Sequence, residues 1–465
     1  MMKIFRLINS NTMNDQNSSL SRRKFIQTTA TAAIAAPLIL ESCAPKTKLR
    51  HACIGVGGMG LGDLKNFIKH PDVEIAAICD VDAERLKKAS ELVPEARTYI
   101  DWRELLEKEN NNIDSVNVTV PDHNHFPIAY NAIREGKHVY CQKPMCHDIA
   151  EVRLLTKASI DKGVITQLGT QHASSANDRR AVQLIKKQAI GKIKHVYLCS
   201  NRPGAIENYR LPGPRPQQDQ NPPDNLNWDL WIGTAPMRSY APKIYHPMLW
   251  RSWLDFGTGW SGDIGCHIFD AVWKGLDMQA PKNVIAEVQK SWIESPERMA
   301  DNWPQSNHIT WMFPGNDMTE ADQLPVEWFD GNFFPPQEIQ DLFHGETYPP
   351  ESAMLVGTEG ALLVQHGGSL VLLPQEKFKN HNISKFKDRN HYHHFADACL
   401  GGEKTESHFA QTGPMTEAIL LGTIAIRVPD TLLTWDSANM KFTDNPDAEK
   451  YISRNYREGW HVAGF

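Results

Sequence analysis

An aspartate and a histidine stand four residues apart at Asp263 and His267, in a stretch with helical periodicity over 261–276. On a helix, positions i and i+4 share a face. An imidazole near neutral pKa can take a hydroxyl proton as hydride leaves the adjacent carbon. A carboxylate one turn away can bind a substrate hydroxyl or orient the ring. A second constellation lies near the start, where an apolar run at 51–54 feeds into Gly55-Val56-Gly57-Gly58-Met59-Gly60. A helical pattern follows, with Leu61, Leu64, Phe67 and Ile68 on one face. Gly55 permits the tight turn, Gly57 lets a pyrophosphate approach the backbone, and Gly60 lets helix and strand pack closely. The helix N-terminus supplies N–H donors. The next strand, Val73–Cys79, ends in Asp80, 20 residues beyond Gly60. An acid there accepts hydrogen bonds from the ribose of NAD and repels the phosphate of NADP. The competing reading of Asp80 is a cap on a helix over 83–93.

Those residues need a frame, and the pattern supplies one. Helices over 101–108, 126–135 and 149–162 alternate with strands over 113–121, 138–141 and 164–168. Such units predict a parallel, doubly wound sheet with ligands at the carboxyl ends of its strands. Three polar clusters fall at those ends: Pro121-Asp122-His123-Asn124-His125, Gln142-Lys143-Pro144 and Gly169-Thr170-Gln171-His172. From residue 190 the composition shifts. Nine tryptophans fall between Trp228 and Trp311, after a lone Trp102. Residues 202–227, rich in Pro and Asn, read as a long loop over the domain junction, either a lid or a structural wrap. Trp250, Trp253 and Tyr245 can stack on sugar faces or fill a core. Arg251 is a candidate substrate contact. The histidines of Asn390-His391-Tyr392-His393-His394 crowd one helix start, and no Cys or Glu completes a tetrahedral set, so no metal is expected. One of them is expected to border the substrate pocket. Residues 413–427 form a long apolar helix that should pack back on the core.

The 465 residues are 41% hydrophobic and 22% charged with net charge −6, which excludes a disordered or fibrous chain. No basic block stands out, so no nucleic-acid partner is expected. A mean hydropathy of −0.45 argues against a polytopic membrane protein. Residues 1–45 read as an address. Ser21-Arg22-Arg23-Lys24-Phe25-Ile26 is a twin-arginine block, and the apolar run at 28–40 is too short to span a bilayer, which takes about 20 residues. It fits the h-region of an export signal on the twin-arginine route, and so a periplasmic protein. Leu40-Glu41-Ser42-Cys43 resembles a lipoprotein box with Cys43 as a candidate lipid anchor, although Glu41 is unusual there. Residues 1–42 hold five basic side chains (Lys3, Arg6, Arg22, Arg23, Lys24) against two acidic (Asp15, Glu41), so the remainder carries −9. The seven cysteines after Cys43 include no CxxC pair and read as reduced thiols, sealed by folding before export.

The stretch Gly136-Lys137-His138-Val139-Tyr140-Cys141-Gln142-Lys143-Pro144 resembles the Gfo/Idh/MocA oxidoreductases. So do the glycine loop, the Pro121…His125 turn, Gly169-Thr170-Gln171, Asp263-x-x-x-His267 and the segment Leu355-Val-Gly-Thr-Glu-Gly-Ala-Leu362. The resemblance covers about residues 50–430. It implies an α/β Rossmann N-terminal domain (46–172) plus an α+β C-terminal domain (173–465) with an open, mostly antiparallel sheet. That sheet carries the substrate site and often an oligomer interface, so a homo-oligomer is expected. The resemblance implies NAD held by Gly55, Gly57, Gly58, Met59, Gly60, Asp80, Pro121, His125, Gln142, Lys143 and Gln171. It makes Lys143 the catalytic or substrate-polarising lysine, His267 the general acid/base and Asp263 its partner. Substrate contacts fall to Arg251, Trp250 and Tyr245. The usual Glu-Lys-Pro appears here as Gln142-Lys143-Pro144, which takes a negative neighbour from Lys143 and should ease its deprotonation if it is buried. The implied activity is hydride transfer between tightly held NAD and a hydroxyl of a sugar, glycoside or polyol. The alternatives are a redox-neutral, NAD-dependent glycoside hydrolase or lyase on the same fold, and a non-catalytic sugar-binding lipoprotein.

Overall fold

The computed structural model describes residues 48–202, 215, 220–331, 333–343 and 347–465. Residues 1–47, on which the expected export signal and Cys43 fall, and most of the 202–227 loop lie outside the described residues.

The apolar runs of the first third form strands β1 (Leu49–Ile54), β2 (Val73–Cys79), β3 (Arg97–Tyr99), β4 (Ser115–Val118), β5 (His138–Cys141) and β6 (Thr166–Leu168). Their pairing is parallel throughout, in the order β3-β2-β1-β4-β5-β6. Crossovers run through helices α1 (Met59–Ile68), α2 (Ala83–Ser90), α3 (Trp102–Lys108), α4 (His125–Arg134) and α5 (Ile149–Lys162). Short polar side chains start three of them. Asp82 caps α2, Asp101 caps α3 and Asp148 caps α5, each accepting from backbone N–H groups of the first turn. The order reverses between β1 and β4, which opens a crevice beyond their carboxyl ends. The glycine loop leaves β1 there and the Pro121 cluster leaves β4.

After α6 (Ala176–Lys186) the chain enters a second sheet. Its strands are β7 (Ile193–Ser200), β8 (Asn283–Val288), β9 (Asn307–Pro314), β10 (Gln323–Asp330), β11 (Glu351–Gly357), β12 (Ala361–Gln365), β13 (Leu370–Leu373), β14 (Leu433–Asp436) and β15 (Lys441–Phe442). The order is β13-β12-β11-β7-β10-β9-β8-β14-β15, antiparallel except for β7 beside β10. Between β7 and β8 lie a short helix α7 (Trp228–Ile232) and a long one, α8 (Gly259–Gly275). After β13 come α9 (His391–Cys399) and α10 (Phe409–Arg427). Helix α10 is buried along nearly its whole length, because it packs on α5 of the first domain, on α8 and on β8 of the second. It starts four residues before the apolar stretch that predicted it. The two domains therefore share one continuous core.

The C-terminal tail returns to the first domain. Arg454 reaches Glu151 at 2.7 Å and Asp148 at 3.5 Å, and donates to the His123 carbonyl at 2.5 Å. Tyr456 Oη donates to the same Glu151 carboxylate at 2.6 Å. Glu151 has no solvent exposure, so this cluster stands in for water around a buried anion. Removing one partner of a buried pair costs about 3–5 kcal/mol. Arg454→Met is expected to lower the unfolding midpoint and to expose the tail to limited proteolysis. A thermal melt with a protease time course checks both.

Candidate active site

One wall of the crevice is the glycine loop. Gly55 has φ +82°, and a Cβ on it would meet the Thr119 carbonyl oxygen at 2.2 Å. A Cβ on Gly60 would meet the Gly55 carbonyl oxygen at 2.0 Å, so α1 could not start where it does. Gly55, Gly57, Gly58 and Met59 line the cleft together with Asp80. The Asp80 carboxylate is fixed by two backbone donors, Val56 N–H and Asp82 N–H, both at 2.9 Å. Burial pushes its pKa up, and those N–H groups oppose the rise. Asp82, not Asp80, caps the following helix. This leaves Asp80 at the cleft, where the cradle fits the pyrophosphate and ribose of a dinucleotide.

The opposite end is charged. Pro121 and Asp122 follow β4, and Lys143 follows β5; all three line the cleft. Helix α8 brings Asp263 to Lys143, with Nζ to Oδ1 at 2.6 Å. Arg251 Nε lies 3.5 Å from the other oxygen of Asp263, and its guanidinium stacks over Trp250 at 4.2 Å. Asp122 accepts a hydrogen bond from Thr258 Oγ1 at 3.1 Å. Burial first, and then Asp263, push its pKa up to about 8; Arg251 and Lys143 pull the other way. His267 is partly exposed, but its Nδ1 is buried without a hydrogen-bond partner. Its ring stacks on His366 at 4.8 Å, and His366 Nδ1 meets Glu351 Oε2 at 3.0 Å. Burial, followed by the charge of Lys143, holds the His267 pKa well below the usual imidazole range. His267 is therefore neutral at neutral pH, the form that accepts a proton.

Two expectations change here. Asp263 does not orient His267 through a hydrogen bond. Its carboxylate goes to Lys143 and Arg251, and His267 leans on His366. Lys143 also does not lack a negative neighbour. The Gln142 amide points the other way, donating to both oxygens of Asp63 at 3.0 and 3.1 Å. Asp63, buried on α1, also accepts from Thr119 Oγ1 and Tyr392 Oη, both at 2.7 Å. The carboxylate missing at 142 sits on α1 instead, and Lys143 takes its partner from α8.

Three of the expected contacts lie away from the cleft. His125 is buried, with its ring nitrogens at 2.6 Å from the Pro144 carbonyl and 2.8 Å from the Val120 carbonyl. Burial pulls its pKa down to about 4, and it ties the loops after β4 and β5 together. Gln171 sits behind the cleft, donating to Tyr140 Oη at 3.2 Å. Tyr245 is 1% exposed, packed among Trp228, Trp253 and Phe256. His391 is likewise buried, bonded to Ser174 Oγ and the Leu168 carbonyl. Sequence reasoning passed over Asp122, although it stands inside a polar cluster at a strand end. The loop expected over the domain junction does cross it at its described end, as a strap from the second domain. Residues 225–227 reach across to the end of β2: Ala83 N–H donates to the Asn225 carbonyl at 2.8 Å, and Asn227 N–H to the Val81 carbonyl at 2.9 Å. Asn225 Nδ2 donates to Asp82 at 2.8 Å. Trp231, His246, Met248 and Trp250 then face the glycine loop across the cleft.

A side chain at residue 60 collides with backbone, which cannot yield cheaply. Gly60→Ala is expected to weaken NAD binding at least about tenfold, the equivalent of 1.4 kcal/mol. A fluorescence titration of nucleotide-free protein measures it.

Residues 49–170 match the family model described as oxidoreductase family, NAD-binding Rossmann fold, and residues 176–305 match that of the oxidoreductase family C-terminal alpha/beta domain. The chain is 29% identical over 192 residues to a glycosyl hydrolase family 109 protein of Stenotrophomonas maltophilia, covering 38% of this chain and 41% of that one. It is 27% identical over 168 residues to the myo-inositol 2-dehydrogenase of Thermotoga maritima, covering 36% and 49%. The matched region thus spans less than half the length of either relative. Among solved structures, the WlbA dehydrogenase of Chromobactrium violaceum, in complex with NADH and UDP-GlcNAcA, shares the fold at TM-score 0.57 and 16% identity, over 87% of this chain and 99% of that one. With both domain models matched in order and the glycine cradle, Asp80 and Lys143 gathered around one crevice, the chain belongs to the Gfo/Idh/MocA family of NAD-binding oxidoreductases.

Proposed function

We propose that this protein oxidises a hydroxyl group of a sugar, glycoside or polyol by hydride transfer to a NAD that it keeps bound. The observation that carries the reading is the contact at 2.6 Å between Asp263 and Lys143, the latter lining the cleft that begins at the glycine loop. NAD, when bound, supplies the hydride acceptor. Gly55 to Gly60 would hold its pyrophosphate and Asp80 its ribose. Lys143 polarises the reacting oxygen. Neutral His267 takes the hydroxyl proton. Arg251 and Asp263 grip neighbouring hydroxyls, and Trp250 offers an apolar face. The named activity of the myo-inositol relative supports this class of substrate.

The strap favours a second reading beside the first. A cofactor held under 225–250 must be restored where it sits. Reduction of a second carbohydrate would do that. So would return of the hydride to the product of a cleaved glycoside, the route to which the glycosyl hydrolase family 109 relatives lend support. The twin-arginine block at 21–26 supports export of the folded, cofactor-loaded chain to the periplasm, with Cys43 as a lipid anchor and the second sheet as a surface for self-association.

Protein purified without added nucleotide is expected to release NAD on denaturation, identified by mass spectrometry. Sugars and glycosides are then screened for reduction of the bound cofactor and for released aglycone. Nucleotide-free protein that also fails to bind NAD would overturn both readings. His267→Ala is expected to lower the rate of cofactor reduction about 10²–10⁴-fold with bound NAD retained. A base works when unprotonated, and His267 protonates only well below the usual imidazole range. Reduction should therefore hold its rate as pH falls from 7 to 6, which stopped-flow absorbance reads directly.

A further inference from the structure

Hydride transfer asks for a base and a polarising cation, which His267 and Lys143 supply. One more ionisable group stands in the same cleft. Asp122 is 2% exposed, yet it forms part of the wall. Two carboxyl groups and two cations meet there, and the cations are unevenly shared. Both ion pairs go to Asp263, Lys143 at 2.6 Å and Arg251 at 3.5 Å. Asp122 has the Thr258 hydroxyl at 3.1 Å. Two buried carboxyl groups near each other resist ionising together, and the one whose neighbouring cations are paired to the other keeps its proton.

We propose that Asp122 works as a neutral carboxylic acid that donates a hydrogen bond to an oxygen of the carbohydrate bound beside Lys143. The titration supports the geometry. Burial and Asp263 push Asp122 up to about 8, against the pull of Arg251 and Lys143. The Cys141 thiol beneath it is pushed far up by burial and carries no charge at neutral pH. Asp122 is thus protonated up to about pH 8 and becomes an anion above it. The anion can no longer donate, and it repels Asp263. The carbohydrate ligand is taken from the dehydrogenase reading; the protonation state is not.

Two substitutions separate the roles. Asp122→Asn keeps a neutral donor of the same shape. Asp122→Ala removes it. For the wild type, kcat/KM for cofactor reduction is expected to fall as pH rises through about 8. In Asp122→Asn that alkaline fall should vanish, with kcat/KM at pH 7 within about tenfold of wild type. In Asp122→Ala it should drop roughly 10- to 100-fold at pH 7. An alkaline fall that persists in Asp122→Asn, or equal losses in the two variants, would overturn the proposal. A second readout needs no turnover. The infrared difference between wild type and Asp122→Asn, both loaded with NAD, should show the carbonyl stretch of a protonated carboxyl group at pH 7 and not at pH 10. Absence of that band at pH 7 overturns the proposal by itself. If no carbohydrate reduces the bound cofactor while the band is present, the dehydrogenase reading fails and the protonated acid stands.

Discussion

Lys143 and Asp263 meet at 2.6 Å across the join of two domains, one side chain from the end of β5 and the other from α8. Taking two charges out of water costs several kcal/mol per ion after relaxation, and their attraction repays it only when the geometry is held. The surrounding frame is what holds it. Helix α10 packs against α5 and against α8, so the helix that follows the Lys143 loop and the helix that carries Asp263 lean on the same buried rod. The tail fastens the outer end of α5 through Arg454 and Glu151. A hinge between these domains would pull the ion pair apart and leave Lys143 without its carboxylate, so the continuous core is a condition of the site.

That contact also divides the chemistry. Because Asp263 takes both Lys143 and Arg251, it cannot serve His267. The imidazole then rests in a stack with His366, low in pKa and ready to accept a proton. Asp122, left with a hydroxyl for company, keeps its own proton. Three ionisable groups around Lys143 thus reach neutral pH in three states: a paired ion, an empty base and a filled acid. Their environments, more than their residue types, separate them.

The glycine loop, Asp80 and the clusters at the strand ends were legible in the sequence because each depends on contacts within one βα unit. Some strand and helix bounds in the first domain were readable for the same reason: β5 and α5 have the expected limits, and α2 starts where its cap, Asp82, puts it, whereas β4 and β6 are shorter than expected and β3, an edge strand of three residues, was not foreseen. What was illegible is set by long-range approach. Asp263 and His267 share a helix face, yet the Asp263 carboxylate answers to a lysine 120 positions away. The Gln142 amide answers to Asp63 at a separation of 79. His125 and Tyr245 carry the right chemistry for a site and are spent on positioning loops and filling an aromatic core. Periodicity reports which face is buried, not which partner buries it.

The strap shows the same limit and has a consequence for the cofactor. Its anchor to the first domain is mostly backbone to backbone, through Ala83, Asn225, Val81 and Asn227, so the Pro- and Asn-rich composition announced a loop over the junction but not the partners that fasten it. Behind it, Arg238 lies over Tyr245, Trp253 and Phe256 and pairs with Asp255 and Asp301, which makes the strap part of a rigid aromatic block. Opening it breaks three hydrogen bonds to the end of β2 and to Asp82, at about 0.5–1.5 kcal/mol each, and lifts Trp231 and Trp250 off the cleft. On the proposed function, a nucleotide beneath it would leave at that cost as well as its own. The strap thus lends the proposed restoration of the cofactor in place a physical reason that does not depend on the compartment.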